Sequence, residues 1–199
     1  EDKDFAILLT DGGGTLRGFT TFALVPAPEE ADLWVVYSGD TIVDRSARHS
    51  FALAETWIDS IRRLRHEHRL ERVVWLLICS GARTYRFLPV FFREFFPRAG
   101  LTAPETIRRR MEGLAVARYG SSYDPRDGIV RLPVPQPLRP ETGVGQGPIR
   151  DRDVRFFQER NPGHSVGDEL VCYTDLDDGN LTRAGQRMMA GGEKRRTAR

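Results

Sequence analysis

The spacing of apolar positions changes character several times along this chain, and each change marks an element. Phe5 to Leu9 and Gly18 to Val25 are short apolar runs without helical spacing, which predicts two strands. Between them lies Thr10-Asp11-Gly12-Gly13-Gly14-Thr15. Asp followed by glycines is hairpin chemistry, because glycine accepts the positive φ of tight turns. Pro26 to Asp32 predicts a loop, and Val35 to Val43 is β-branched and aromatic, as a mostly buried strand should be. The period then shifts. Leu53, Trp57, Ile58, Ile61 and Leu64 fall on one helical face, while Arg62, Arg63, Arg65, Glu67 and Arg69 occupy the other. Val73 to Cys79 is continuously apolar and predicts the next strand. A strand–helix–strand unit of this length most simply gives two parallel neighbours joined by a right-handed crossover.

Further on, Phe87 to Pro97 predicts a helix, with Pro89 in its first turn and Pro97 at its end. Its phenylalanines read as core, with a pocket for an acyl chain or an aromatic substrate as the sharper alternative. Thr102-Ala103-Pro104-Glu105 has the pattern of a capping box opening a helix that runs through Ile107, Met111 and Leu114 to Gly120. A turn at Asp124 to Gly128 and a strand at Ile129 to Val134 follow. Pro133 to Pro148 predicts a semi-extended surface linker. Arg150 to Arg160 predicts a helix closed by Asn161-Pro162-Gly163, and Asp168 to Thr174 a last strand. Asn180 is placed to cap a short helix, Leu181 to Met189. The expected organisation is a core over 1–120, an extension packing back on it over 121–190, and a disordered basic tail over 191–199.

Composition narrows the classes of function. The chain has 199 residues and a formal net charge of +2, so nothing global argues for nucleic acid or membrane as a partner. The arginines are scattered along helices, where solvated faces are the plain reading. Cys79 and Cys172 sit in apolar strand-like runs and read as buried thiols of a reducing compartment. With no secretory core and no run of spanning length, a cytoplasmic protein is expected. His66 and His68 are two apart on a helix and point in different directions, so no shared metal is expected. Asp175 to Asn180 matches a calcium loop only in composition.

Two stretches carry candidate chemistry. Asp11-Gly12-Gly13-Gly14-Thr15 resembles the first phosphate loop of sugar kinases and actin-like ATPases. It also approaches the Asp-x-Asp-Gly-Thr-Leu pattern of aspartate-nucleophile phosphatases, with Gly13 where their second aspartate stands. A plain glycine-rich hairpin is the preferred reading. The second stretch is Val35-Val36-Tyr37-Ser38-Gly39-Asp40-Thr41-Ile42-Val43-Asp44, then Arg45 to Ser50, then the helix from Phe51. A strand feeding directly into a helix N-terminus aims backbone N–H groups and the positive dipole end at one place, which suits an anion.

This second stretch, with the hairpin before it and the apolar strand after it, resembles the core of the GNAT-type N-acyltransferase superfamily over roughly Phe5 to Pro97. Trp75 to Pro97 is similar to uncharacterised bacterial proteins described as GNAT-like. The resemblance implies an α/β fold: a mixed, mostly antiparallel sheet with a central parted parallel strand pair, followed by a C-terminal extension. It also implies a first strand and helices ahead of Glu1, so that the chain is incomplete or the fold reduced. The implied co-substrate is acyl-CoA, or the phosphopantetheine thioester of an acyl carrier protein. Ile42, Val43, Arg48, His49, Ser50 and Phe51 stand where the family binds it. The family's turn places glycines where His49 and Phe51 stand here, and its tyrosine falls near Phe92.

The chemistry so implied is attack of an amine on a thioester. It needs a proton acceptor, a donor to the thioester oxygen and a proton for the departing sulfur. Asp40 is the candidate base and Ser80 and Tyr85 complete the catalytic candidates; Tyr37, Cys79 and Arg83 are the candidates for substrate binding. The expected function is acyl transfer to a small-molecule amine. The alternatives are a non-catalytic GNAT-like binding or scaffold module and, third, an ATP-dependent small-molecule kinase working through the Asp11 hairpin.

Overall fold

The computed structural model describes residues 3–47, 50–137 and 151–197. Most of the linker expected at Pro133 to Pro148 lies outside them. Among the described residues the chain forms seven strands, in the order β1-β2-β3-β4-β7-β6-β5 along the sheet. These are β1 (Phe5–Thr10), β2 (Leu16–Pro26), β3 (Leu33–Val43), β4 (Arg72–Cys79), β5 (Tyr123–Asp124), β6 (Ile129–Val130) and β7 (Glu169–Asp175). The helices are α1 (Ala52–Glu67), α2 (Ala82–Tyr85), α3 (Phe87–Phe91), α4 (Glu105–Tyr119), α5 (Arg152–Arg160) and α6 (Arg183–Thr197). The fold class is therefore α/β. The antiparallel meander β1–β2–β3 and the helical crossover through α1 make the sheet a mixed one. The chain divides into two compact units, one of residues Glu1–Val74 with Leu176–Arg199, the other of Trp75–Asp175.

In the first unit, β1 and β2 pair through the predicted hairpin. Asp11 pins its turn: Oδ1 accepts the N–H groups of Gly13 and Thr15 at 3.0 and 2.9 Å, and Oδ2 meets Arg17 at 2.8 Å. Those bonds hold the Asp11 carboxyl below its ordinary range. The core forms on the α1 side of the sheet. Phe22 stacks on Phe5 at 4.9 Å and meets Trp57 of α1 edge-on at 6.3 Å. Leu53, Trp57, Ile58, Ile61 and Leu64 are all buried, as their spacing predicts.

The polar face of α1 is not simply solvated. Arg65 donates to the carbonyls of Leu70, Leu176 and Glu71 at 3.2, 3.2 and 2.8 Å, and Arg62 pairs with Asp178 at 3.2 Å. A guanidinium has five donors in a fixed fork, so a single arginine can serve several carbonyls at once. α6 then packs along α1. Thr182 Oγ1 caps it by accepting the Gly185 N–H at 3.1 Å, whereas Asn180 closes a 3-10 turn over Asp178–Asn180. The helix continues to Thr197, through most of the stretch expected to be disordered. Gly191 permits the approach, since a side chain there would meet the Glu55 carboxylate.

In the second unit the helix expected over Phe87 to Pro97 stops at Phe91. From Phe92 the backbone is extended, and Phe96 exchanges N–H···O bonds of 2.8 and 2.7 Å with Tyr173 of β7. Thr174 Oγ1 donates to Glu94 O at 2.7 Å. Phe92, Phe95 and Phe96 are buried by this pairing rather than by a helical face. Two further expectations are corrected. α4 begins at Glu105 behind Pro104, an N-cap residue with no side-chain acceptor, and the Glu105 carboxylate serves Arg108 and Arg109 at 2.8 and 2.7 Å instead of a capping box. β6 covers only Ile129–Val130, paired with Tyr123–Asp124 on one side and β7 on the other.

Phe22 is the side chain on which β1, β2 and α1 converge in the first unit. Phe22→Ala is expected to destabilise it by about 3–5 kcal/mol, the cost of a large aromatic lost from a close-packed core, measured by urea denaturation.

Candidate functional site

The candidate residues are divided between the two units. In the first, β3 runs buried from Leu33 to Tyr37 and then departs from a regular ladder. Thr20 pairs with Thr41 and Phe22 with Ser38, so Thr21 of β2 faces both Gly39 and Asp40. This is a β-bulge, a device that bends a strand and re-aims its side chains. Gly39 makes it possible, because a Cβ there would collide with Thr21 Oγ1 and with the Lys3 stem. Beyond the bulge, Asp40, Thr41 and Ile42 are exposed and Val43 is half-buried. Tyr37, one of the substrate-binding candidates, lies before it and is buried.

β3 then passes into a 3-10 turn, Arg45–Ala47, organised by Asp44, whose Oδ1 accepts the Ser46 N–H at 2.8 Å. Arg48 and His49, both assigned to the co-substrate, lie outside the described residues. Ser50 Oγ accepts the Ala52 N–H at 3.2 Å, and Phe51, the residue at the head of α1, offers no side-chain acceptor to the first turn. Its ring is 64% exposed, unusual for phenylalanine.

In the second unit, β4 ends at Cys79 and is followed by half-buried Ser80, buried Gly81 and Ala82, and exposed Arg83. Tyr85 is fully buried. Its ring lies against Phe95, Phe156 and Phe157 with centroids 6.2, 6.0 and 5.6 Å away, and its hydroxyl donates to Pro97 O at 2.9 Å. Burial pushes that phenol well above its ordinary range. Its proton is thus held by a backbone carbonyl inside an aromatic cluster. Cys79 and Cys172 are buried free thiols. The Cys172 thiol beside it, burial and the charge of Glu169 together raise the Cys79 thiol, the opposite of what a nucleophilic cysteine requires.

Two residues that the sequence reading passed over each act on Cys79 at this end of β4. Asn161, fully buried at the C-terminus of α5, donates through Nδ2 to Cys79 O at 3.3 Å and to Asp168 O at 2.9 Å. It joins the end of β4 to the start of β7. Its Oδ1 is buried and has no hydrogen-bond partner among the described residues. Glu169, next after Asp168, is only 8% exposed. The available signal was an acidic residue opening the apolar run Glu169-Leu170-Val171-Cys172-Tyr173. For Asn161 there was none, since Asn-Pro-Gly reads as a helix stop.

No protein-family model matches this chain, and no curated protein matches it. Among solved structures, one similar chain is a GNAT family N-acetyltransferase (YhbS) from Escherichia coli in complex with CoA. It is 19% identical, with a TM-score of 0.34. The match covers 43% of this chain and 45% of that one, less than half of either. Among the described residues no helix is long and apolar enough to cross a membrane, and no group of three or more His, Cys, Asp or Glu could hold a metal ion.

Tyr85→Phe would leave Pro97 O without its donor and is expected to cost about 1–3 kcal/mol of stability, read by denaturant titration.

Proposed function

We propose that this chain is a GNAT-like acyltransferase that moves an acyl group from an acyl-CoA or acyl-carrier-protein thioester to an amine. The observation that carries the reading is the bulge at Gly39–Asp40. It turns a buried strand outward just before the turn and helix head that the family resemblance assigns to the co-substrate. On this reading Ile42 and Val43 run beside the pantetheine arm, and Arg48, His49, Ser50 and Phe51 meet the diphosphate end. Ser80, Arg83 and Cys79 belong to the unit Trp75–Asp175, and their roles toward the thioester and substrate rest on the resemblance alone; Tyr37 shapes β3 from within.

Asp40 is the proton acceptor in this scheme, directly or through water. The ammonium gives up a proton, the nitrogen lone pair attacks the thioester carbonyl carbon, and the C–N bond forms. The C–S bond then breaks and the thiolate leaves, taking its proton from Tyr85 or from water. The buried Tyr85–Pro97 bond favours water as that source. The same bond favours the second reading, a GNAT-like binding module without catalysis, and the exposed Phe51 ring supports a surface for a carrier protein.

Thermal unfolding with acetyl-CoA, a longer acyl-CoA and ATP–magnesium tests the proposal. At about 100 times its dissociation constant the true donor stabilises by roughly 2.7 kcal/mol, a shift of several degrees. Asp40→Asn should keep that shift and lose about 100-fold or more in kcat. Stabilisation by ATP–magnesium alone would overturn the proposal in favour of the Asp11 hairpin. An acyl-CoA shift with no amine acylated would leave the binding module.

A further inference from the structure

The formal charge of the whole chain is only +2, yet it is not spread evenly. Residues 193–199, Glu-Lys-Arg-Arg-Thr-Ala-Arg, hold four cations against one acid. In a loose tail that charge would have no fixed place. Most of it belongs instead to α6, which runs as helix to Thr197.

The packing of α6 on α1 decides where the charge is delivered. Both helices lie in the same unit. The chain enters α6 beside the later turns of α1, where Arg62 and Arg65 meet Asp178 and Asp177 at 3.2 and 3.5 Å. Further on, the Gly191 backbone lies against the carboxylate of Glu55, in the first turn of α1. The two helices are therefore antiparallel, and α6 travels toward the start of α1. It continues for six residues beyond Gly191, roughly 9 Å at the helical rise. Only three residues of α1, Ala52 to Ala54, precede Glu55, roughly 4.5 Å. Lys194, Arg195 and Arg196 thus come level with Ala52 and the residues just before it, where the turn leaving β3 joins α1.

Charge at this place acts whichever way each side chain extends, since its field reaches about 8 Å at physiological ionic strength. A single cation here would be accounted for by the α6 dipole, which favours positive charge at a helix C-terminus. Three in succession also repel one another, a cost that a bound polyanion removes. We propose that the last turns of α6, through Lys194, Arg195 and Arg196, form an anion-binding surface beside the start of α1 that holds the phosphates of the CoA nucleotide. The surface itself stands on the placement of α6; the choice of CoA as its polyanion rests on the acyltransferase reading.

Thermal unfolding of the full chain with adenosine 3′,5′-bisphosphate, adenosine and acetyl-CoA, at matched ionic strength, tests the proposal. The bisphosphate at about 100 times its dissociation constant should raise Tm by several degrees, and adenosine should not. The triple variant Lys194→Gln, Arg195→Gln, Arg196→Gln should bind the bisphosphate and acetyl-CoA about 10-fold more weakly, with a flatter dependence on salt. If that variant fails to fold, Arg195→Gln alone decides, with an expected loss of about 3-fold. Equal shifts with adenosine and the bisphosphate, or bisphosphate binding unchanged in the variants, would overturn the surface. Binding of an acyl carrier protein that the triple variant loses, with no response to the bisphosphate, would replace the nucleotide by that protein. A bisphosphate response without an acetyl-CoA response would keep the surface and defeat the acyltransferase reading. An acetyl-CoA response that the variants leave unchanged would keep that reading and defeat the surface.

Discussion

Backbone carbonyls at a buried strand end have to find donors that the ladder no longer supplies, and in the unit Trp75–Asp175 a single side-chain amide meets two of them. Asn161 can reach both because it closes α5 as a fully buried residue, its N–H bonded to Phe157 O at 2.8 Å. The first turn is held by Asp151, whose Oδ1 accepts the Asp153 and Val154 N–H groups at 2.9 and 3.3 Å to start the helix. Val154 and Phe157 seat the helix, and the Phe157 ring also meets Tyr85 and His164. The position of Ser80, and of whatever binds beside it, is thus set by a helix that starts more than seventy residues later in the chain. The constraint is polar and the seating is apolar; neither alone would fix the strand end.

The first unit solves a comparable problem with an arginine. Arg65 collects carbonyls at the entrance of β4 and at the exit of β7, so the crossover helix is fastened to the backbone as well as to the core. β3 is left to do two things at once. Its first half is a core strand, and its second half, past the bulge, presents polar and apolar side chains outward. A strand that is regular throughout could not do both, because alternation would bury half of the outer residues.

The elements with a strong local period were legible in the sequence. β1 to β4 and α1 stand within two or three residues of where their spacing places them, because each carries its own apolar pattern over a long enough run. Elements fixed by distant partners were not legible. The chain leaves its helix at Phe91 because Tyr173, some eighty residues on, offers it a backbone partner. β7 lies between β4 and β6, an insertion that no local pattern announces. The candidate site divides the same way. The outward turn of β3 could be read from Gly39-Asp40-Thr41, whereas Asn161 looked like punctuation and Glu169 like the first residue of a strand. Both acquire meaning only through residues they meet in space.

Gly39 and Thr21 share one small volume, and that sharing has an evolutionary reading. Chains descended from a common ancestor with this one can place a side chain at position 39 only if position 21 shrinks or the bulge is lost. Losing the bulge would shift Asp40 and all that follows by one place in register, moving each of those side chains to the opposite face of the sheet. Drift at these two positions should therefore be correlated, and a lineage that abandons glycine at 39 without a smaller residue at 21 should at the same time stop retaining an acid at 40.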